Sequence, residues 1–188
     1  MKRSGMVGMA MAAAVAAGGC STFEPQGPRA VANLDAAAGS QVWGSVSFVE
    51  TGSGVLVRAD VRNLRSGGEF GFHVNEKGDC SSPDFMSAGG HFNPGGKPHA
   101  HFGKPERHAG DMANLRATAE GNATYAFETT LLAVKPGPNS VVGRAVVIHL
   151  NPDDYTSQPA GNSGPRIACG LIREADQGSQ AVFPRLSR

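Results

Sequence analysis

Short runs of alternating or apolar residues, separated by turn-forming residues, make up most of the chain after Gln41. The runs QVWGSVSFVE and GVLVRADVRNL are separated by Thr-Gly-Ser, which is typical of a hairpin. Similar runs follow, and Glu120-Gly121-Asn122 provides another hairpin turn. Alternation with a period of two is the pattern of strands that bury one face. The sequence therefore predicts an all-β sandwich or barrel, with long loops after the third strand and after His149.

Length and charge limit the number of domains and the possible partners. The 188 residues, 40% of them hydrophobic, are enough for one globular core but short for two. There are 17 lysines and arginines and 16 aspartates and glutamates, with no basic stripe interleaved with aromatic residues. Because the phosphate backbone dominates the affinity of proteins for nucleic acid, we do not expect nucleic acid as a partner.

The first 20 residues differ in composition from the rest of the chain. Met1-Lys2-Arg3 is positively charged, and an uncharged run rich in alanine and methionine follows from Ser4 to Thr22. This pattern predicts that residues 1–20 are a signal peptide and that the chain is exported to the periplasm. A transmembrane anchor is the alternative, but the run is rich in small residues and barely long enough to span a bilayer.

The segment AGGC at residues 17–20 resembles the lipobox of bacterial lipoproteins, in which the cysteine becomes the lipidated first residue. Leucine is usual where Ala17 stands, and Ala-Val-Ala at residues 14–16 offers ordinary signal peptidase another site. We predict lipidation of Cys20 and attachment to the membrane. Residues 21–40 are rich in small residues and proline, which predicts a flexible tether. Residues 176–188 form a tail without an assignable role.

The cysteine count agrees with this division of the chain. Three cysteines in an exported protein leave one over unless one has a separate role, and Cys20 is the natural candidate. Cys80 and Cys169 can then pair in an oxidising compartment, which would stabilise the fold by about 4 to 5 kcal/mol in the chain-entropy model. The alternative is that both remain buried free thiols.

All six histidines lie between residues 73 and 149, and four of them lie between His91 and Asp111. A single buried histidine is usually a core residue, but six of them where strands and a glycine- and proline-rich loop can converge favour a metal site. Imidazole suits zinc and copper, and Asp111, three residues after His108, supplies the carboxylate often found in tetrahedral sites. No HExxH motif occurs, so a zinc peptidase is not indicated.

Five spaced motifs carry a more specific resemblance. In chain order they are GFHVNEKGDC, SAGGHFNPGGKPH, ERHAGD, VVIHLNPDDY and GNSGPRIACG. Together they resemble the successive signatures of the Cu/Zn superoxide dismutase family. The resemblance implies a Greek-key β-barrel over residues 41–175, with long metal-binding and active-site loops. It also implies dismutation of the superoxide anion to oxygen and hydrogen peroxide, with one copper and one zinc ion as cofactors.

The zinc positions of the family are all filled in this sequence. The resemblance implies that His91 bridges copper and zinc, and that His99, His108 and Asp111 complete the zinc ligands. His101 falls outside the family pattern, and we interpret it as an exposed neighbour.

The copper positions are filled except for one. His73, His91 and His149 match family ligands, but the family's His-x-His dipeptide reads His73-Val74-Asn75 here. An amide oxygen is a weak, hard donor and is especially poor for Cu(I). Copper is therefore expected to bind less tightly, and the activity is expected to be weak.

The resemblance also implies roles for residues that do not bind metal. Arg166 matches the arginine that draws superoxide toward copper and, with His91, is expected to act in catalysis. Asp153 matches the carboxylate that links the two metal sites, and Cys80 and Cys169 match the family's disulfide. A cationic group beside a metal raises the encounter rate of an anion, and a carboxylate beyond the ligands fixes the orientation of metal-binding histidines.

Three hypotheses about function remain open on the sequence alone. The first is a working dismutase with a three-histidine copper site. The second is a non-catalytic zinc protein that keeps the fold without the redox chemistry. The third is a copper-binding or copper-delivery protein at the envelope surface, for which weak retention of copper is useful.

We predict that Cys20 becomes the lipidated N-terminus of the mature protein. Intact-mass measurement of the protein purified from the cell envelope should then give a chain that starts at Cys20 and carries lipid. An unmodified chain that starts near Ala17 would contradict this prediction.

Overall fold

The computed structural model describes residues 27–176 of the chain. Within that range the fold is all-β, as predicted, and its only helical element is a 3₁₀ turn at Met86–Ala88. The ten strands of the described range are β1 Arg29–Ala36, β2 Trp43–Glu50, β3 Val55–Arg62, β4 Glu69–Phe70, β5 Phe72–Asn75, β6 Leu115–Arg116, β7 Ala123–Thr129, β8 Ala145–His149, β9 Arg166–Leu171 and β10 Arg173–Ala175. None of the described residues forms a helix that is both long and apolar enough to cross a membrane.

The main sheet is antiparallel and has the strand order β5-β8-β9-β1-β2-β3-β7, with β10 also paired to β1. Strands β4 and β6 form a separate pair. Alternate residues point into the core, as the period-two pattern predicted, and in β3 these are Val55, Val57, Ala59 and Val61. The sheet curls around a core that also contains the fully buried rings of Phe48, Phe70 and Phe72.

The predicted tether at residues 21–40 is wrong for its described part, because β1 occupies Arg29–Ala36. This strand pairs with β2 along most of its length and with β9 at its end, so it joins the two halves of the sheet. Its inward residues Ala30, Ala32 and Leu34 are buried. Alanine gives only a weak apolar signal in the sequence, yet its small side chain fits a strand enclosed by neighbours on both sides. The folded domain therefore begins before Gln41.

Several predictions about the chain ends lie outside the described residues. These are the signal peptide at residues 1–20, the lipidation of Cys20, the tether at residues 21–26 and the tail from residue 177 onward.

Cys80 and Cys169 are joined by a disulfide, so the alternative of two free thiols does not hold. Cys169 lies in β9 opposite Val147 of β8, and both pack in a small second cluster with Phe85. The disulfide therefore attaches the loop between β5 and β6 to the centre of the sheet, close to the strand that carries His149.

The two long loops predicted from the sequence occupy residues 76–114, between β5 and β6, and residues 150–165, between β8 and β9. They contact each other directly, because Gln158 donates to the carbonyl of His99 at 2.7 Å and accepts from its backbone N–H at 2.9 Å. A histidine of the first loop is thus held by a side chain of the second.

The position of β1 generates a stability prediction. Ala32→Asp places a carboxylate at a fully buried position of β1 and should reduce the free energy of unfolding by about 3 to 5 kcal/mol. Asn33→Asp, on the exposed face of the same strand, is the matched control and should change it by less than about 0.5 kcal/mol. Urea denaturation measures both. Equal stability of the two variants would mean that this segment is not part of the folded core.

Candidate metal centre

Two strands and one long loop supply the candidate metal-binding side chains. His73 lies on β5 and His149 ends β8, and these strands pair with each other. The loop between β5 and β6 returns alongside β5, where the Val74 N–H donates to Gly110 at 3.0 Å and the Val74 carbonyl accepts from Phe92 at 2.8 Å. The loop thus continues the sheet locally and brings its own histidines next to β5.

The first cluster is centred on one carboxylate oxygen, Oδ1 of Asp111. The Nδ1 atoms of His91, His99 and His108 lie 2.9, 3.0 and 3.2 Å from it. All four side chains are buried. In a tetrahedral site with zinc–nitrogen bonds of about 2.0 to 2.1 Å, neighbouring ligand atoms lie about 3.3 Å apart. The donor types and their spacing therefore fit a zinc ion.

Asp111 is fixed in place by its other oxygen, Oδ2, which accepts backbone N–H groups from Ala100 at 3.3 Å and from His108 at 3.1 Å. Burial raises the pKa of Asp111, but hydrogen bonds from His108, His91 and His99 outweigh burial and bring the pKa below its usual range. The carboxylate is therefore ionised at neutral pH, as a metal ligand requires.

His99 lies between two carboxylates in the metal-free protein. Its Nδ1 faces Asp111, and its Nε2 lies 2.9 Å from Oδ1 of Asp153. Burial lowers the pKa of His99, but the close contacts with the carboxylates of Asp111 and Asp153 outweigh burial and raise it to about 9. His99 is thus protonated at neutral pH, and a metal ion that binds Nδ1 must displace this proton.

The second cluster consists of His73, His91 and His149, whose ligand atoms lie within 4.8 Å of one another. One nitrogen of each ring is buried without a hydrogen-bond partner: Nδ1 of His73, Nε2 of His91 and Nε2 of His149. The other ring nitrogens contact Asp153, Asp111 and the carbonyl of Gly164, at 2.9, 2.9 and 3.0 Å. These contacts set the tautomers so that three lone pairs are left free, which fits a metal that prefers imidazole.

The three rings are held in the neutral form that binds metal. Burial lowers the pKa of His149 to about 4, and burial also lowers the pKa of His73 and of His91. A neutral imidazole offers a lone pair without first losing a proton. This cluster therefore differs from the first, where one proton must leave.

Asp153 joins the two clusters. Its two oxygens accept from His73 Nε2 and His99 Nε2, both at 2.9 Å. Burial raises the pKa of Asp153, but the hydrogen bonds from these histidines bring it below its usual range. Asn114 holds the backbone of Asp153 through two hydrogen bonds, of 3.0 and 2.9 Å. Sequence reasoning missed Asn114, because a lone asparagine between loop and strand carries no signal.

Gly161 is a second residue that sequence reasoning missed. It has a φ of +64°, and a Cβ at this position would collide with Oδ1 of Asp153. Glycine is needed here because the backbone of residues 150–165 passes directly against this carboxylate. The two glycines of the segment PAGNSG are a sequence signal for such a position, because glycine is typical of backbone where a side chain would clash.

Asn75, at the position of the family's second strand histidine, is completely buried. Its Nδ2 donates to the carbonyl of Gly89 at 2.9 Å, and its Oδ1 has no hydrogen-bond partner. Arg166 is partly buried and donates to the carbonyls of Phe85 and Gly89, both at 2.6 Å. The two side chains therefore meet at the same carbonyl oxygen.

His101 is exposed and belongs to neither cluster. Its ring packs against Phe102 at 4.1 Å and Tyr155 at 4.7 Å between centroids. A cavity of about 300 Å³ is bordered by His149, residues 157–160 and residues 162–164.

Comparison with known proteins identifies the family of this chain. The family model for copper/zinc superoxide dismutase matches residues 42–172. Cu-Zn superoxide dismutase 2 of Aquifex aeolicus is 43% identical over 71% of this chain and 80% of its own length. The superoxide dismutase-like protein YojM of Bacillus subtilis is 38% identical over 68% of this chain and 69% of its own length.

A solved structure agrees with the fold. The crystal structure of a double mutant of a superoxide dismutase-like protein from Bacillus subtilis is 38% identical, with a TM-score of 0.68, and the match covers 74% of this chain and 94% of that one. The family implies copper and zinc, and the two buried clusters described above are groups that could hold metal ions. With its curled antiparallel sheet, its disulfide and a family match over most of its length, this chain belongs to the copper/zinc superoxide dismutase family.

Proposed function

We propose that this chain is a superoxide dismutase-like protein of the bacterial envelope, with a complete zinc site and a copper site that lacks one imidazole. In this proposal it converts superoxide to oxygen and hydrogen peroxide, with low activity. The observation that carries the proposal is the set of three buried imidazole nitrogens without partners, on His73, His91 and His149, beside a second complete set of ligands.

His91, His99, His108 and Asp111 would bind zinc in this proposal. Zinc has no redox chemistry, so its role is to order the loop of residues 76–114 and to neutralise the buried Asp111 carboxylate. Asp153 would fix the copper ligand His73 relative to the zinc ligand His99, because it accepts a hydrogen bond from each.

Copper bound by His73, His91 and His149 would supply the redox couple that takes an electron from one superoxide and gives an electron to the next. The side chains of the protein would attract the anion, supply a proton and orient the ligands. Arg166 would attract the anion, since its guanidinium is the cationic group that matches the family's guide. His91, with one ring nitrogen in each cluster, would hold and release a proton at Nε2. Asp153 would keep Nδ1 of His73 free by accepting from Nε2.

Asn75 is the reason to expect low activity. Its side chain donates to Gly89, and an amide oxygen is in any case a poor ligand for Cu(I). Three imidazoles can still bind copper, but more weakly than four nitrogen donors.

Export to the periplasm, with attachment through a lipidated Cys20, is also part of the proposal. It is supported by the signal-peptide pattern of residues 1–20 and by the disulfide between Cys80 and Cys169, because disulfides persist in oxidising compartments.

The alternative function is a non-catalytic zinc-binding or copper-delivery protein on the same fold. Asn75 favours this alternative, because weak copper binding suits a protein that passes copper on. It is also supported by the relative in Bacillus subtilis, whose name describes it only as superoxide dismutase-like. Copper content and activity, measured together, distinguish the two functions.

We predict that zinc stabilises the fold through the first cluster. Removal of zinc by a chelator should lower the melting temperature, because an ion that binds only the folded state stabilises it. His108→Ala should abolish most of this response, whereas His101→Ala, in the same loop but exposed, should leave it intact. Scanning calorimetry with and without chelator measures the difference. Identical melting of the metal-free and zinc-loaded natural protein would contradict the prediction.

We predict that zinc affinity rises with pH. In the metal-free protein His99 has a pKa of about 9, so its proton is bound throughout the neutral range and must leave when zinc binds. Affinity should increase about tenfold per pH unit between pH 6 and 8 and level off above the pKa, as release of one proton requires. Chelator competition at several pH values measures this slope. An affinity that does not depend on pH would show that His99 does not exchange a proton for zinc.

We predict that Asn75→His strengthens copper binding and speeds dismutation, because it returns a fourth imidazole on the strand that carries His73. The core residues Phe70, Phe72 and Val74 are not altered. Copper titration and stopped-flow superoxide decay on both proteins test this prediction. Full copper occupancy with undiminished activity in the natural protein would show that the fourth ligand is dispensable. No gain in the variant would show that other parts of the site differ from an active dismutase.

A further inference from the structure

The carbonyl oxygen of Gly89 receives two side-chain donors. Nη2 of Arg166 donates to it at 2.6 Å, and Nδ2 of Asn75 donates to it at 2.9 Å. A carbonyl oxygen has two lone pairs, so these two bonds use its full capacity. The direction of this one carbonyl therefore affects the position of both side chains.

Gly89 adopts a backbone conformation that other residues cannot share. Its φ of 74° and ψ of −157° fall in a region that is essentially restricted to glycine, and a Cβ here would collide with the side chain of Glu76. Such conformations persist only where the surroundings over-determine them. The Gly89 N–H is held by the carbonyl of Met86 at 3.0 Å, and the Gly89 carbonyl is held by Asn75 and Arg166.

Arg166 depends on the same loop for its second contact. Its Nη1 donates to the carbonyl of Phe85 at 2.6 Å, so both terminal nitrogens of the guanidinium bind loop carbonyls four residues apart. The guanidinium cannot keep its direction if the Gly89 carbonyl turns away. Asn75 lies on β5 and is completely buried. It donates to the same Gly89 carbonyl that Arg166 contacts.

We propose that Asn75 is a positioning residue for Arg166, acting through the carbonyl of Gly89. An amide N–H can hold this carbonyl without any metal bound, so the chain keeps the orientation of its anion-attracting group although it lacks the fourth imidazole. The importance of Arg166 for superoxide rests on the proposed function, but its coupling to Asn75 does not. Asn75 thus positions Arg166, in addition to standing where the family has a copper ligand.

The test is the rate at which phenylglyoxal modifies Arg166 in the purified natural protein and its variants, with no copper added. Peptide mass spectrometry gives the rate, with the exposed Arg116 as internal reference. Asn75→Leu, which has a similar size but no donor, should speed the modification about fivefold, the factor that corresponds to one ordinary hydrogen bond. Asn75→Asp should do the same, because a carboxylate cannot donate to Gly89. Asn75→His, which can donate from a ring nitrogen, should restore the natural rate.

Asn114→Leu is the matched control, because Asn114 is an amide of the same site that contacts Asp153 and not Gly89. It should leave the rate at Arg166 unchanged. Equal rates in the natural protein and in Asn75→Leu would overturn the proposal, and so would acceleration by Asn114→Leu as large as that by Asn75→Leu. Because no activity is measured, a failure of this test is separate from a failure of the dismutase proposal.

A second measurement covers the case in which Asn75→Leu does not fold. In the natural protein, the side-chain NH₂ signals of Asn75 in an NMR spectrum should be protected from solvent exchange. Arg166→Met should shift these signals, because it frees one lone pair of the Gly89 carbonyl. Asn75 signals that exchange rapidly, or that do not respond to Arg166→Met, would overturn the proposal.

Discussion

A single buried carboxylate oxygen, Oδ1 of Asp111, determines how the loops of this protein are arranged. Three histidines from a glycine- and proline-rich loop approach it within 3.2 Å. Backbone N–H groups donate to Oδ2, the other oxygen of the same carboxylate. Beyond its short pairing beside β5 and the 3₁₀ turn, this loop has little regular hydrogen bonding, so these side-chain contacts help to order it. Through His99 and Asp153 the same arrangement reaches His73 on β5. The second cluster is therefore connected to the first through hydrogen bonds.

Much of this structure could be predicted from the sequence on physical grounds. Period-two alternation identified most of the strands, since a curled sheet with one buried face imposes it. The prediction was wrong at β1, where Ala30 and Ala32 bury little apolar area and proline-rich sequence precedes the strand. The concentration of all six histidines between residues 73 and 149 indicated a metal site, and the resemblance to the family implied which of them belong to each set of ligands. The roles of Asn114 and Gly89 depend on contacts between distant segments, which no local pattern reveals.

Under the proposed function, Asn75 is the residue that separates family membership from full activity. The sheet, the disulfide and the first cluster do not require a histidine at this position, because Asn75 is buried and donates to Gly89 as an amide. Under the proposed function, the missing imidazole would leave the fold intact and weaken only the affinity for copper. The proposed function therefore accounts for a chain that keeps three imidazole nitrogens without hydrogen-bond partners but lacks a fourth imidazole.

Anomalous X-ray diffraction at the zinc and copper edges, on crystals of the natural protein, tests the central claim most directly. The account predicts a fully occupied zinc ion among His91, His99, His108 and Asp111. It also predicts a partly occupied copper ion beside the free nitrogens of His73, His91 and His149. Zinc at full occupancy in both clusters, or no metal in either, would contradict it.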